Sequence, residues 1–180
     1  MITSDSILRD LGSLDKNKKR DLISKLTQTT DEKIIEKMIS LLDDDDITTR
    51  GEVFSALFLN KNDISKKLIH SLDEKSKNVR AFCSLILANR NDENAIDAVI
   101  KLTDDTSATV RSCAFGALGY LRAKNARHEI SQGIFDSNVE VKKSAAYALV
   151  LMNEELSEEE KIELEKQNDS DFQKILKNYN

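Results

Sequence analysis

The chain has 180 residues, no proline or tryptophan, five glycines, 33% charged and 39% hydrophobic residues, and a formal net charge of -5. Proline-free stretches rich in Leu, Ile, Ala, Lys and Glu favour helices and point to an all-helical class. The acidic balance excludes a general polyanion binder, which would present a basic surface to phosphates. The acidic excess is concentrated late: residues 1–30 hold six basic and four acidic groups, residues 31–152 hold 17 and 19, and residues 153–180 hold four and nine.

In chain order, the opening MITSDSILRD has no basic region followed by an apolar run, so no secretory signal is expected. Residues 4–11 and 16–26 form a first, degenerate helical hairpin that keeps Arg20, Ile23 and Leu26 but is charged over much of its surface. Helices follow at 33–42, 64–72, 95–102 and 126–135, with apolar residues at i, i+3 and i+4, such as Ile96, Val99 and Ile100. Each leads into a second, nearly uncharged helix, of which SATVRSCAFGALGYL (107–121) is the clearest. Residues 157–166 and 170–178 make an acidic closing pair, with Phe172, Ile175 and Leu176 as packing residues. The longest apolar stretch, residues 81–88, is too short to span a bilayer. We expect no membrane association.

The second helices repeat. Aligned on their basic residue they place Arg20, Arg50, Arg80, Arg111 and Lys142 in register, at intervals of 30, 30, 31 and 31 residues. One position earlier stand Thr49, Val79, Val110 and Val141. Three later come Val53, Cys83, Ala114 and Ala145; six later Ala56, Ile86, Ala117 and Ala148; seven later Leu57, Leu87, Leu118 and Leu149. Four earlier stand Asp46, Ser76, Ser107 and Asn138, all suited to cap a helix, and Ser137 with Glu140 offers a capping box. Each unit is therefore a hairpin of about 31 residues that cannot bury both helices alone and must stack on its neighbours. The fold expected is a single all-α domain over 1–180, a right-handed α-solenoid of about five antiparallel hairpins, with residues 1–30 and 153–180 as caps.

At about 100° per residue, positions 3, 6, 7 and 10 after the basic residue form the buried stripe, and positions 5 and 9 point away from it. Those outward positions, with their flanks, carry Phe58, Leu59, Leu85, Tyr120, Tyr147 and Leu151, an apolar and aromatic strip read as a partner-binding face. The basic row Arg50, Arg80, Arg111 and Lys142 is expected to pair with acidic residues of its own or the adjoining turn, from 43–46, 73–74, 104–105 and Asp136, and to set stacking register.

No catalytic constellation emerges. His70 and His128 fall at unrelated positions, without a nucleophile–base pattern. Cys83 occupies the buried small-residue position and Cys113 its edge, as free thiols. Residues 43–46 have no calcium-loop glycine around them; carboxylates before a helix N-terminus are explained by its dipole, and no metal is expected. The basic run 16–20 reads as a solvated cap helix rather than a nucleic-acid site.

The acidic turn, Val-Arg, then small-x-x-Ala-Leu resembles HEAT repeats, especially the short bacterial and archaeal kind and the HEAT-like proteins of the phycobilisome-lyase type, over residues 31–152. The chain departs from that pattern in lacking the intra-repeat proline and in placing Thr49 and Gly51 around Arg50. The resemblance implies an armadillo-like superhelix whose second helices line a concave surface, with the basic row as ladders between repeats. It also implies a non-enzymatic, cytoplasmic scaffold or adaptor for another protein, one with a basic surface on charge grounds, and a monomer without cofactor. Inhibitors or toxin-immunity proteins are among similar small HEAT proteins. The alternatives it brings are a bilin lyase or isomerase subunit and a DNA-repair glycosylase. Ala117→Leu is expected to overpack the repeat junction and cost about 1–3 kcal/mol in denaturant unfolding; a neutral result would place Ala117 on the surface.

Overall fold

A computed structural model describes residues 3–12, 15–167 and 169–177. The described residues form twelve helices and no strand: α1 (Ser4–Leu11), α2 (Lys16–Lys25), α3 (Glu32–Ser40), α4 (Ile47–Leu59), α5 (Ser65–His70), α6 (Lys77–Asn89), α7 (Ile96–Lys101), α8 (Ala108–Tyr120), α9 (Arg127–Gly133), α10 (Val139–Met152), α11 (Glu158–Glu165) and α12 (Ser170–Lys177). They pair as six hairpins, the four repeats and a complete pair at either end. Asn178, expected to end the last helix, lies outside the described residues. The all-α class and hairpin repeat are as the 31-residue period requires. Two compact units, Met1–Arg90 and Asn91–Asn180, each hold three hairpins.

Local chemistry sets the helix ends. Asp46 accepts from the Thr49 N–H at 3.0 Å, Ser76 from Val79, and Asn138 from Glu140 and Val141. Two cap assignments need correction. Ser107 stands at the cap of α8 but its hydroxyl makes no capping bond; its N–H donates instead to Asp105 Oδ1 at 2.8 Å. The box expected of Ser137 and Glu140 is absent, because Asn138 takes the cap and Glu140 turns to Lys143. Short 3-10 turns close the first helices at Leu41–Asp43, Ser71–Asp73 and Leu102–Asp104, which tightens the corner before each second helix. Asn91, Arg122 and Asn153, eleven positions after successive basic residues, share a left-handed backbone with φ of 54°, 50° and 54°.

In the first unit, α4 packs on α2 and α6, burying Val53, Ala56 and Leu57 against a core that includes Ile23, Met38, Leu42, Ile86 and Leu87. Lys19 donates to Asp44 at 2.8 Å, and Lys16 lies 3.7 Å from Asp46. The basic run of the first cap and the acidic run of the next turn thus account for each other. Burial works against the Asp44 carboxylate, but the Lys19 ammonium and the Asp46 N–H hold its pKa below the usual range. A second seam runs through amides. Asn60 is buried and donates to Thr29 O at 2.9 Å, Asn62 donates to Gln28 O at 3.1 Å, and Arg90 donates to Asn62 O at 2.9 Å and to Asn60 O.

In the second unit the main contact is α8 on α10. Ala114, Ala117, Leu118, Ala145, Ala148 and Leu149 are fully buried there. A Cβ on Gly119 would stand 2.5 Å from Ala148 Cα, and one on Gly133 would stand 2.5 Å from the Phe115 ring. Those glycines are the condition for the helices to meet. Gly116, three residues before Gly119, has no atom within 4 Å of its would-be Cβ. Gly119→Ala is therefore expected to cost about 1–3 kcal/mol through overpacking, while Gly116→Ala should raise stability by roughly 0.5–1 kcal/mol through helix propensity. Denaturant unfolding of the two variants checks the opposite signs.

Candidate partner-binding face

The buried stripe of the second helices is spent on stacking, and what remains outward is largely apolar, with Ser55 and Asn89 exposed among it in the first unit. In the first unit Phe58 is 39% and Leu59 54% exposed, while Leu85 is half-buried. In the second, Tyr120 is 56%, Tyr147 43% and Leu151 48% exposed. Tyr120 and Leu151 occupy the same register position on α8 and α10, which pack together, and Tyr147 lies one helical turn before Leu151. The Ser112 and Ser144 hydroxyls meet at 2.7 Å and tie the two helices near this face. Phe135, Val139 and Ile47, at turns and helix ends, and Ile162, midway along α11, are also exposed and were not singled out by the repeat register.

The basic row behaves differently from expectation in part. Arg50 donates to the main-chain oxygens of Asp44 at 2.7 Å and Asp45, and Arg80 to those of Glu74 and Lys75 at 2.7 and 2.9 Å. Arg111 does the same to Asp105 O at 2.9 Å. The shared task is thus to close the hairpin corner by binding carbonyls, because the short turn aims its C=O groups at the guanidinium six residues on. For Arg50 the expected carboxylate partners are corrected to these carbonyls. Ladders between neighbouring hairpins do form within the second unit. Arg111 donates bidentately to Asp136 at 2.7 and 2.9 Å, and Lys142 reaches Glu163. Asp136 is held below the usual carboxylate range by the Arg111 hydrogen bonds, against its burial.

One strong link was missed by periodicity. Glu160 is only 1% exposed, yet it accepts from Arg127 at 3.0 Å on each oxygen, from Ser131 Oγ at 2.5 Å and from Ser157 N–H at 2.7 Å. It locks α11 onto α9. Burial pushes its pKa up, but the Arg127, Ser131 and Ser157 donors outweigh it and hold the carboxyl low. The run of glutamates 158–160 in the sequence hides which of them is the partner.

The residues weighed for chemistry are kept apart. Cys83 is buried, and burial pushes its thiol up to about 12, so it offers no thiolate near neutral pH. Cys113 is half-buried and its thiol is raised in the same direction. His128 is exposed, and its Nε2 lies 3.1 Å from the Gln132 amide. His70 is exposed at the edge of a groove of about 1040 Å³ between α3 and α5, floored by Ile39 and Val79. Among the described residues no cluster of three His, Cys, Asp or Glu is arranged to hold a metal, and no helix is long and apolar enough to cross a membrane.

The corner, stripe and register describe a known repeat, and residues 65–149 match the model of HEAT repeats. This segment is a run of HEAT repeats. Solved structures extend the same fold over the whole chain. The Escherichia coli protein YibA is similar at 17% identity over 97% of this chain and 68% of its own, with a TM-score of 0.68. The complex of CpcE and CpcF of phycocyanin lyase from Nostoc sp. PCC7120 is similar at 19% identity over 97% and 74%, with a TM-score of 0.60. A designed armadillo repeat protein in complex with the peptide (KR)4 is similar at 19% identity over 97% and 98%, with a TM-score of 0.53. No curated protein sequence matches the chain. The fold is thus that of HEAT and armadillo repeat proteins, a class that serves many functions.

Because the folded pKa of Glu160 lies below its unfolded value, its contribution is present in full above the unfolded pKa. It is lost as pH falls from about 5 through the folded value. Glu160→Gln is expected to lower stability at pH 7 by roughly 3 kcal/mol, since it strands a partly buried guanidinium, and to flatten the acid limb. Unfolding free energy measured between neutral and acid pH checks both.

Proposed function

We propose that this HEAT-repeat protein is a non-enzymatic scaffold that binds another protein through the outward face of its second helices. The observation that carries this reading is the exposure of Phe58, Leu59, Tyr120, Tyr147 and Leu151 on stretches of the second helices, 51–59, 112–121 and 144–152, whose one charged residue is Glu52. A helix side of this kind is normally covered, and large aromatic side chains are the usual anchors of a protein interface. Leu85 takes part as a half-buried neighbour. Arg50, Arg80, Arg111 and Lys142 serve the stack rather than the partner. The acidic balance favours a partner with a basic surface, and the (KR)4 peptide bound by a designed armadillo relative is an instance of that chemistry on a similar fold. An inhibitor or toxin-immunity protein is one form such a scaffold takes, working as a monomer in the cytoplasm.

A second reading, a subunit of a lyase-like enzyme, draws on the likeness to the CpcE–CpcF complex. It requires a bound chromophore or substrate, and added bilin would then change its absorption spectrum in the presence of this protein.

For the scaffold reading, Tyr120→Ala with Tyr147→Ala should abolish capture of bound protein while leaving the thermal unfolding midpoint almost unchanged. A sharp drop in the midpoint would show that the tyrosines belong to the core and remove the face as a site.

A further inference from the structure

The inference here rests on the binding reading above and concerns the chemistry of the segment that the second unit takes. The two units differ in charge: Met1–Arg90 holds 16 basic and 15 acidic residues, for a net +1, and Asn91–Asn180 holds 11 and 17, for a net -6. Of the second unit's cations, Arg111 is engaged on Asp136, Arg127 on Glu160 and Lys142 on Glu163, while Arg122 is exposed two residues after Tyr120. Lys143 alone serves three carboxylates, Asp169 at 2.8 Å, Glu140 at 3.5 Å and Asp171 at 3.6 Å. Lys174, beside them, is taken by Asp171 at 3.0 Å. Three carboxylates against these two lysines leave negative charge over where α10 meets α12.

Glu140 is exposed and precedes Tyr147 by two turns, so by helical spacing it belongs to the same outward row at about 10 Å along the axis. Leu151 follows Tyr147 by one turn, at about 6 Å. The row on α10 therefore reads acid, then Lys143, which is mostly buried and turned to Asp169, then aromatic, then aliphatic. On the adjoining α8, Tyr120 is exposed and the would-be Cβ of Gly116 meets no atom within 4 Å, which leaves a notch one turn from that ring. Tyrosine faces attract ammonium and guanidinium groups, Glu140 supplies a counter-charge, and the notch and Leu151 suit aliphatic side chains. An extended strand presents same-side residues about every 7 Å, close to the spacing of Tyr147 and Leu151. An acidic segment would meet like charge, and an uncharged one would lose the electrostatic steering.

We propose that the second unit binds an extended segment of its partner whose protein-facing residues, every second one along the strand, are by turns basic (arginine or lysine) and aliphatic, cations against Tyr120, Tyr147 and Glu140, and aliphatic side chains at Gly116 and Leu151.

Fluorescence polarisation with the full chain and three labelled octapeptides tests this: two repeats of arginine–serine–leucine–serine, which sets arginine and leucine by turns on one side of an extended strand, and the same sequence with glutamine or with glutamate in place of arginine. The basic peptide should bind about tenfold or more tighter than the neutral one and weaken with salt. It should lose about tenfold or more on Tyr120→Ala with Tyr147→Ala, and several-fold on Glu140→Lys, with thermal unfolding of each variant as the fold control. If the neutral or acidic peptide binds as well as the basic one and is still weakened by the tyrosine changes, the face stands and the partner chemistry is wrong. If the tyrosine changes leave the basic peptide's affinity untouched, or no peptide binds by about 1 mM, both the chemistry and the face fall.

Discussion

Everything in the second unit depends on how closely α8 can approach α10. At Gly119 that approach leaves no room for even one carbon above Ala148, and Ala114, Ala117 and Ala145 keep the rest of the seam thin. Close backbone approach multiplies small dispersion contacts and excludes water. It also uses up the buried stripe entirely, so each helix's remaining surface must be either polar or available. Here it carries two tyrosines and a leucine. The candidate face is thus a by-product of tight stacking.

Polar links then fix register around that apolar seam, and they differ between the units. The first uses Lys19 on Asp44 at one end of its helices and an amide seam of Asn60, Asn62 and Arg90 at the other. The second uses ion pairs, Arg111 on Asp136 and Arg127 on Glu160. Half-exposed pairs add little stability, but removing one side of the buried Glu160 pair leaves an uncompensated charge. Specific register comes from the geometry of a bidentate carboxylate rather than from the number of charges.

Consumption of cations inside the second unit also shapes what its surface can attract. Seventeen acidic residues against eleven basic ones is a matter of composition. That Lys143 is divided among three carboxylates, beside Tyr147 on the same helix, is a matter of folding. The apolar face and the residual negative charge therefore lie side by side, which joins an anchor to a steering field.

The period of 30 or 31 residues, the small-x-x-Ala-Leu stripe and the lack of strand or phosphate-loop signals were enough, in the sequence alone, to determine helical hairpins that must stack, because a repeated hairpin with one apolar stripe has no other way to bury it. The outward positions of Phe58, Leu59, Tyr120, Tyr147 and Leu151 followed from the same helical period. What the basic row binds did not follow. A carbonyl at a tight corner carries no side-chain signal, so Arg50 and Arg80 on main-chain oxygens were invisible to pairing of charges. Nor did periodicity separate Glu160 from its neighbours 158 and 159, since only the approach of α11 to α9 decides which carboxylate is buried. Ser107 looked like a cap, yet α8 is closed without its hydroxyl. Spacing along one helix is a property of the chain; which groups meet across two helices, and which glycine makes room, is decided only when they pack.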